Sequence, residues 1–172
     1  MVSKWLQSLP HSHKIVIAGN HDWLFERQKK QAIELLKADY PNIVYLEDSG
    51  IEIMGLKFYG SPWQPWFYSW AFNVTRGQLH KYWDLIPSGL DILVTHGPPM
   101  GILDQAAAHL GSEHVGCAEL ITAVERTKPK IHVFGHIHGG YGKRQYGDTA
   151  FYNAAAVDEA YRPVNKPWIL DI

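Results

Sequence analysis

The sequence predicts a mixed α/β fold, and three observations predict it. Helical and strand patterns interleave along the chain, short apolar runs rich in β-branched residues recur at 14–18, 91–95 and 130–134, and no low-complexity tract or internal repeat divides them. At 172 residues the chain is long enough to bury most of the surface its unfolded form exposes, so residues 1–172 are expected to form one domain. Hydrophobic residues make up 46% and charged residues 19%, a balance that supports a core and argues against disorder.

Each element follows from its local pattern. Residues 3–8 read as a short helix, and residues 14–18 as a buried strand broken by Gly19. Residues 22–38 place Trp23, Leu24, Ile33, Leu35 and Leu36 among charges, as an amphipathic helix does, with Asp22 as its cap and Pro41 beyond its end. Residues 43–46, 51–54 and 57–60 are short and β-rich, with Ser49-Gly50 and Gly55 between them, and predict a meander. The aromatic stretch 61–72 contains Pro62 and Pro65 and has no period, so it reads as a loop. Beyond it come a helix over 76–85, a strand over 91–95, a helix over 117–126 stopped by Pro129, a strand over 130–134, and closing strands over 141–146, 149–153 and 168–170.

Composition also excludes some functions. A net charge of -1 creates no broad field, so a long nucleic acid is not an expected partner and any phosphate must be bound by local chemistry. No apolar run approaches the roughly 20 residues of a membrane helix. Residues 1–10 lack the basic start and apolar middle of a signal peptide, so a cytoplasmic chain with no membrane partner is expected. The single Cys117 sits in an apolar setting and reads as a small buried residue rather than a nucleophile.

The chemistry concentrates where three apolar strands end in the same way. Ile15-Val16-Ile17-Ala18-Gly19-Asn20-His21, Ile92-Leu93-Val94-Thr95-His96-Gly97 and Val133-Phe134-Gly135-His136-Ile137-His138 each discharge polar ligand residues next to glycine. The carboxyl ends of strands border the ligand crevice of α/β sheets, so three such ends can meet. Imidazole and amide oxygen suit divalent ions such as Mn, Fe, Ni, Co or Zn. One histidine beside a strand is more often a hydrogen-bonded structural residue than a ligand, but three coordinated cases weaken that reading. His132 falls inside a strand pattern, while His11, His13, His80, His109 and His114 fall in loops or on helical faces, and all six are read as outside the site.

Gly19-Asn20-His21-Asp22, Thr95-His96-Gly97-Pro98-Pro99 and Gly135-His136-Ile137-His138 resemble three ordered signature blocks of calcineurin-like metallophosphoesterases. Tyr59-Gly60-Ser61-Pro62-Trp63 and Ile86-Pro87-Ser88-Gly89 are similar to the metallophosphoesterase-domain-containing, fetal-brain-type group, and the likeness spans nearly the whole chain. Some members of that group carry Gly for the first His of the last block and are poor enzymes; His136 is retained here. The resemblance implies an α/β/β/α sandwich with mixed sheets and metal-dependent hydrolysis of phosphodiesters or phosphomonoesters, including small or cyclic nucleotides. It implies Asn20, His96 and His136 on one metal, His138 on a second, Gly97 at the substrate, and His21 donating a proton to the leaving oxygen or stabilising transition-state charge.

Family members open with Asp-x-His and Gly-Asp blocks that this chain lacks, so an N-terminally truncated site with a single, weakly held metal is expected. Asp22, Asp48 or a carboxylate from a neighbouring chain are candidates to replace the bridging ligand. A sheet without its opening strands has an open edge, which predicts a homodimer or larger assembly. The aromatic residues Trp63, Trp66, Phe67, Tyr68 and Trp70 suit stacking on a nucleobase beside the phosphate. The competing expectation is a metal- or nucleotide-binding remnant with little or no turnover, or a purely structural chain.

Overall fold

The computed structural model describes residues 2–38, 41–106 and 114–172. In chain order these form α1 (Val2–Ser8), β1 (Lys14–Val16), α2 (Trp23–Arg27), α3 (Lys29–Lys37), β2 (Ile43–Tyr45), β3 (Ser49–Ile53), β4 (Leu56–Ser61), β5 (Gln64–Pro65), β6 (Asn73–Val74), α4 (His80–Trp83), β7 (Ile92–Thr95), α5 (Ala118–Thr127), β8 (Ile131–Phe134), β9 (Gly142–Tyr146) and β10 (Thr149–Asn153).

The apolar runs of β7 and β8 become the central strands of a six-stranded sheet ordered β3-β4-β7-β8-β10-β9. A strand that is apolar on both faces needs a layer on each side, and this position supplies it. The strands from β4 to β10 run parallel, and β3 and β9 close the edges antiparallel. Leu93 lies beside His132, and His132 beside Phe151, so all three share one face with Tyr59 and Phe134. That face is sealed by Leu79 just before α4, Trp83 in α4, and Leu120 and Val124 from α5. On the other side, β1 and β2 form a parallel two-stranded sheet whose back is covered by Leu6, Phe25 and Leu36 from α1, α2 and α3.

The order of layers is therefore helix, sheet, sheet, helix, the mixed α/β sandwich expected from the sequence. The two sheets touch at Gly60, where a Cβ would come within 2.6 Å of Leu46 and 2.8 Å of Ile17. Beyond that contact they diverge, and Val94 and Val133 of the central strands are only half-buried. No helix among the described residues is long and apolar enough to cross a membrane.

Several elements differ from the sequence reading, each for a physical reason. The helix expected over 22–38 is two helices, because Gln28 leaves helical geometry (φ -141, ψ 53) while its N–H still bonds the Leu24 carbonyl. Asp22 makes no side-chain cap to α2; its carboxylate accepts the Gly19 N–H at 2.7 Å instead. The meander reduces to the β3–β4 hairpin, since β2 pairs in parallel with β1. The helix over 76–85 is confined to His80–Trp83, after a turn containing Gly77 at φ +82. The loop over 61–72 contains β5, which pairs in parallel with β6. Residues 168–170 form no strand, because Trp168 docks through its side chain: it stacks 5.2 Å from Tyr141 and donates to the Asn153 carbonyl at 3.0 Å.

Candidate functional site

Three turns at the carboxyl ends of β1, β7 and β8 enclose one end of a cleft of about 400 Å³ between the two sheets. The first turn is closed reciprocally, with the Asp22 N–H on the Gly19 carbonyl at 3.0 Å and the Gly19 N–H on the Asp22 carboxylate. That closure holds Asn20 and His21 at the tip. A Cβ on Gly19 would stand 2.6 Å from the His96 ring, so glycine is what lets the first turn reach the second. Asn20 Oδ1 lies 2.9 Å from His96 Nε2, although 76 residues separate them in sequence. The rings of His96 and His136 lie 4.7 Å apart.

His136 takes its position through an unusual backbone. Its φ is +67, and the Ile137 N–H bonds the Gly135 carbonyl at 2.7 Å, which closes a three-residue turn of the rarer, strained hand. A non-glycine residue held there costs of order 1–3 kcal/mol, strain that clusters at functional sites. Burial pushes His96 down to about 3, helped by His136 and His21, and pushes His136 down to about 4, helped by His138 and His21. Both rings are thus neutral near pH 7, the form in which imidazole presents a lone pair to a cation.

The structure thus brings Asn20, His96 and His136 together. His138 lies in the next turn with its ring against Tyr161 at 5.1 Å, a contact that nothing in the sequence announced. Gly97 faces His136, its would-be Cβ 3.9 Å from the ring. His21 is exposed and lies 5.3 Å from Trp70, which also meets the edge of His136 at 6.3 Å. Trp63 faces elsewhere: it stacks on Tyr82 at 4.0 Å and donates to Asp48 at 2.7 Å. Trp66 is 60% exposed on the same loop, without a described ring contact to the histidines. Asp48 also accepts from Ser61 at 2.7 Å, and Asp22 accepts the Gly19 N–H while lining the same cleft as His96. His114 bonds Asp104, His80 bonds the Gly77 carbonyl, and His109 lies outside the described residues.

Among the described residues no three His, Cys, Asp or Glu side chains stand close enough to hold a metal ion. A divalent cation would rest on the two imidazole nitrogens of His96 and His136 and the amide oxygen of Asn20, a donor set that fits one open-coordinated ion.

The profile of the calcineurin-like phosphoesterase family matches residues 1–140. The chain belongs to that family. It is 44% identical over 191 residues to Metallophosphoesterase domain-containing protein 1 of Homo sapiens, an alignment that covers 99% of this chain and 58% of the relative. The chain thus spans little more than half the length of that relative. Among solved structures, one crystal structure superposes with a TM-score of 0.64 at 22% identity, covering 82% of this chain and 56% of the other. TT1561 of Thermus thermophilus superposes at 0.50 with 14% identity, covering 82% and 62%. These two likenesses concern the fold. Calcineurin-like phosphoesterases typically bind divalent metals, and membership supports a phosphoesterase-type function.

Proposed function

We propose that the chain hydrolyses phosphoesters, phosphodiesters or phosphomonoesters including small or cyclic nucleotides, in the cleft lined by Asn20, His21 and His96, with Gly97, His136 and His138 in the adjoining turns. The observation that carries this reading is the convergence of His96, His136 and Asn20 from turns far apart in sequence. A bound divalent ion, Mn, Fe, Ni, Co or Zn, supplies Lewis-acid polarisation of the phosphoryl oxygens and a water of lowered pKa. Asn20, His96 and His136 would hold it, with His138 available to a second. His21, exposed at the mouth, donates a proton to the leaving oxygen, a role typically worth about 10²- to 10⁴-fold in rate. Trp70 beside it offers a flat face to a base or aryl group.

Turnover of bis-p-nitrophenyl phosphate with added Mn²⁺ tests the reading. His21→Ala is expected to lower kcat by about 10²- to 10⁴-fold, and His96→Ala to abolish Mn²⁺ dependence. Turnover untouched by either substitution refutes it. A second reading, a metal- or nucleotide-binding remnant with little turnover, is favoured by the absence of a three-residue His, Cys, Asp or Glu cluster among the described residues. Binding of Mn²⁺ without turnover selects it. The chain is further proposed to act in the cytoplasm and to self-associate, with the half-open Val94 and Val133 surface as support. A monomeric mass in solution counts against self-association.

A further inference from the structure

We propose that His132 is a positioning residue for His96, acting from the sealed face of the sheet through the Thr95 hydroxyl and the Gly97 carbonyl. It rests on the reading of His96 as a metal ligand. His132 is fully buried between Phe134 and Phe151, with ring centroids at 5.0 and 5.5 Å, an environment that a leucine or phenylalanine would fill without desolvating a polar ring. Its Nε2 lies 2.8 Å from Thr95 Oγ1, and Thr95 Oγ1 lies 2.8 Å from the Gly97 carbonyl oxygen, to which it donates.

A threonine hydroxyl has one proton to give. Since Gly97 receives it, Thr95 accepts from His132, which fixes the imidazole as the Nε2–H tautomer. Nδ1 is then a bare lone pair, and Nδ1 has no partner among the described residues. The opposite tautomer would bury an N–H without an acceptor and leave Thr95 with two claims on its single proton. Burial also holds the ring neutral, pushing it down to about 3.

The bond chain ends on the residues that flank His96 on either side. The backbone of His96 itself is tied by a longer bond to the Ser61 carbonyl, 3.3 Å, and by the Gly135 N–H on its own carbonyl, 3.0 Å. The two 2.8 Å side-chain links therefore fix how the turn after β7 leaves the sheet, and with it the direction of the His96 ring toward Asn20 and His136. His132 touches neither substrate nor ion. It sets a ligand's orientation, as supporting shells of metal sites do, and losing such support typically weakens metal binding about 10- to 100-fold.

The test compares the unsubstituted chain with His132→Leu, His132→Gln and Thr95→Val, by Mn²⁺ titration followed by EPR and by the NMR signals of the His96 ring. His132→Leu is expected to weaken Mn²⁺ binding about tenfold and shift the His96 ring signals, and His132→Gln, which keeps a donor near the Nε2 position, is expected to restore both. Unchanged affinity and unchanged His96 signals in a folded His132→Leu overturn the proposal. If that variant does not fold, Thr95→Val decides by the same two readouts. A starting chain that takes up no Mn²⁺ refutes the metal reading separately, and the His96 signals of the variants then decide the positioning alone. In the unsubstituted chain, a long-range ¹H–¹⁵N spectrum showing the His132 proton on Nδ1 overturns the bond chain whatever the variants do.

Discussion

The two faces of the six-stranded sheet are built from the same strands and put to opposite uses. Leu93, Thr95, His132, Phe134 and Phe151 on the helix-covered face are at most 2% exposed, while Val94 and Val133, their neighbours in sequence, line the cleft and are half-buried. Alternation along a strand sends successive side chains to opposite faces, so each apolar run builds the core and backs the cleft at once. Where the strands end, the open face delivers His96 and His136, and the sealed face ties the residues on either side of His96 through Thr95 and His132. The lesson is that stability and ligand placement are divided by face, one residue apart, rather than by region of the chain.

Acid should break that division most strongly, because it acts on both faces. His96, His132 and His136 all have folded values depressed below the ordinary histidine range, so their neutral forms contribute stability that is fully present above about pH 6.5 and lost as pH falls toward 4 and 3. Three protons taken up on unfolding correspond to at most about 4 kcal/mol per pH unit. Urea unfolding between pH 7 and 5 measures the slope, and a flat profile would show that the three rings are not buried as described. Next in size is Phe151→Ala on the sealed face, expected to cost about 3–5 kcal/mol in the same unfolding experiment.

Gly19→Ala sharpens the contrast from the other side. The added methyl meets the His96 ring, so Mn²⁺ affinity should fall by about 10- to 100-fold while stability to urea changes little. Full Mn²⁺ affinity in that variant would mean the ring is free to move away. The smallest effect is expected for Val133→Ala in the cleft, about 1 kcal/mol or less, because its side chain is already partly in water. A loss as large as that of Phe151→Ala would show the open face to be covered in solution.

Much of the fold and of the histidine cluster was legible because the signals are local. A β-branched run followed by glycine and a ligand residue states a strand, its end and its cargo within a few positions, and this occurs three times. What was illegible depends on partners distant in sequence. Gln28 interrupts a helix without a glycine or proline to mark the break. Trp63 and Trp70 belong to one aromatic stretch, yet the first is claimed by Tyr82 and Asp48 and the second by His21 and His136, and nothing in their spacing separates them. The loop that carries them is ordered by side chains the pattern could not weigh: buried Gln64 donates to Asn73, Asn73 donates to the carbonyls of Phe67 and Tyr68, and the Ala71 N–H bonds the Asn20 carbonyl. His132 read as an incidental strand residue because its link to Thr95 crosses 37 positions.

The dihedral angle at His136 has an evolutionary reading. A left-handed backbone is the one conformation that glycine adopts freely and every other residue resists, so replacing His136 with glycine would remove the imidazole and relieve the chain in a single step. At most buried positions, by contrast, losing the side chain leaves a destabilised protein. A glycine variant at this position is expected to fold at least as well as its parent, so backbone stability alone does not select for histidine here.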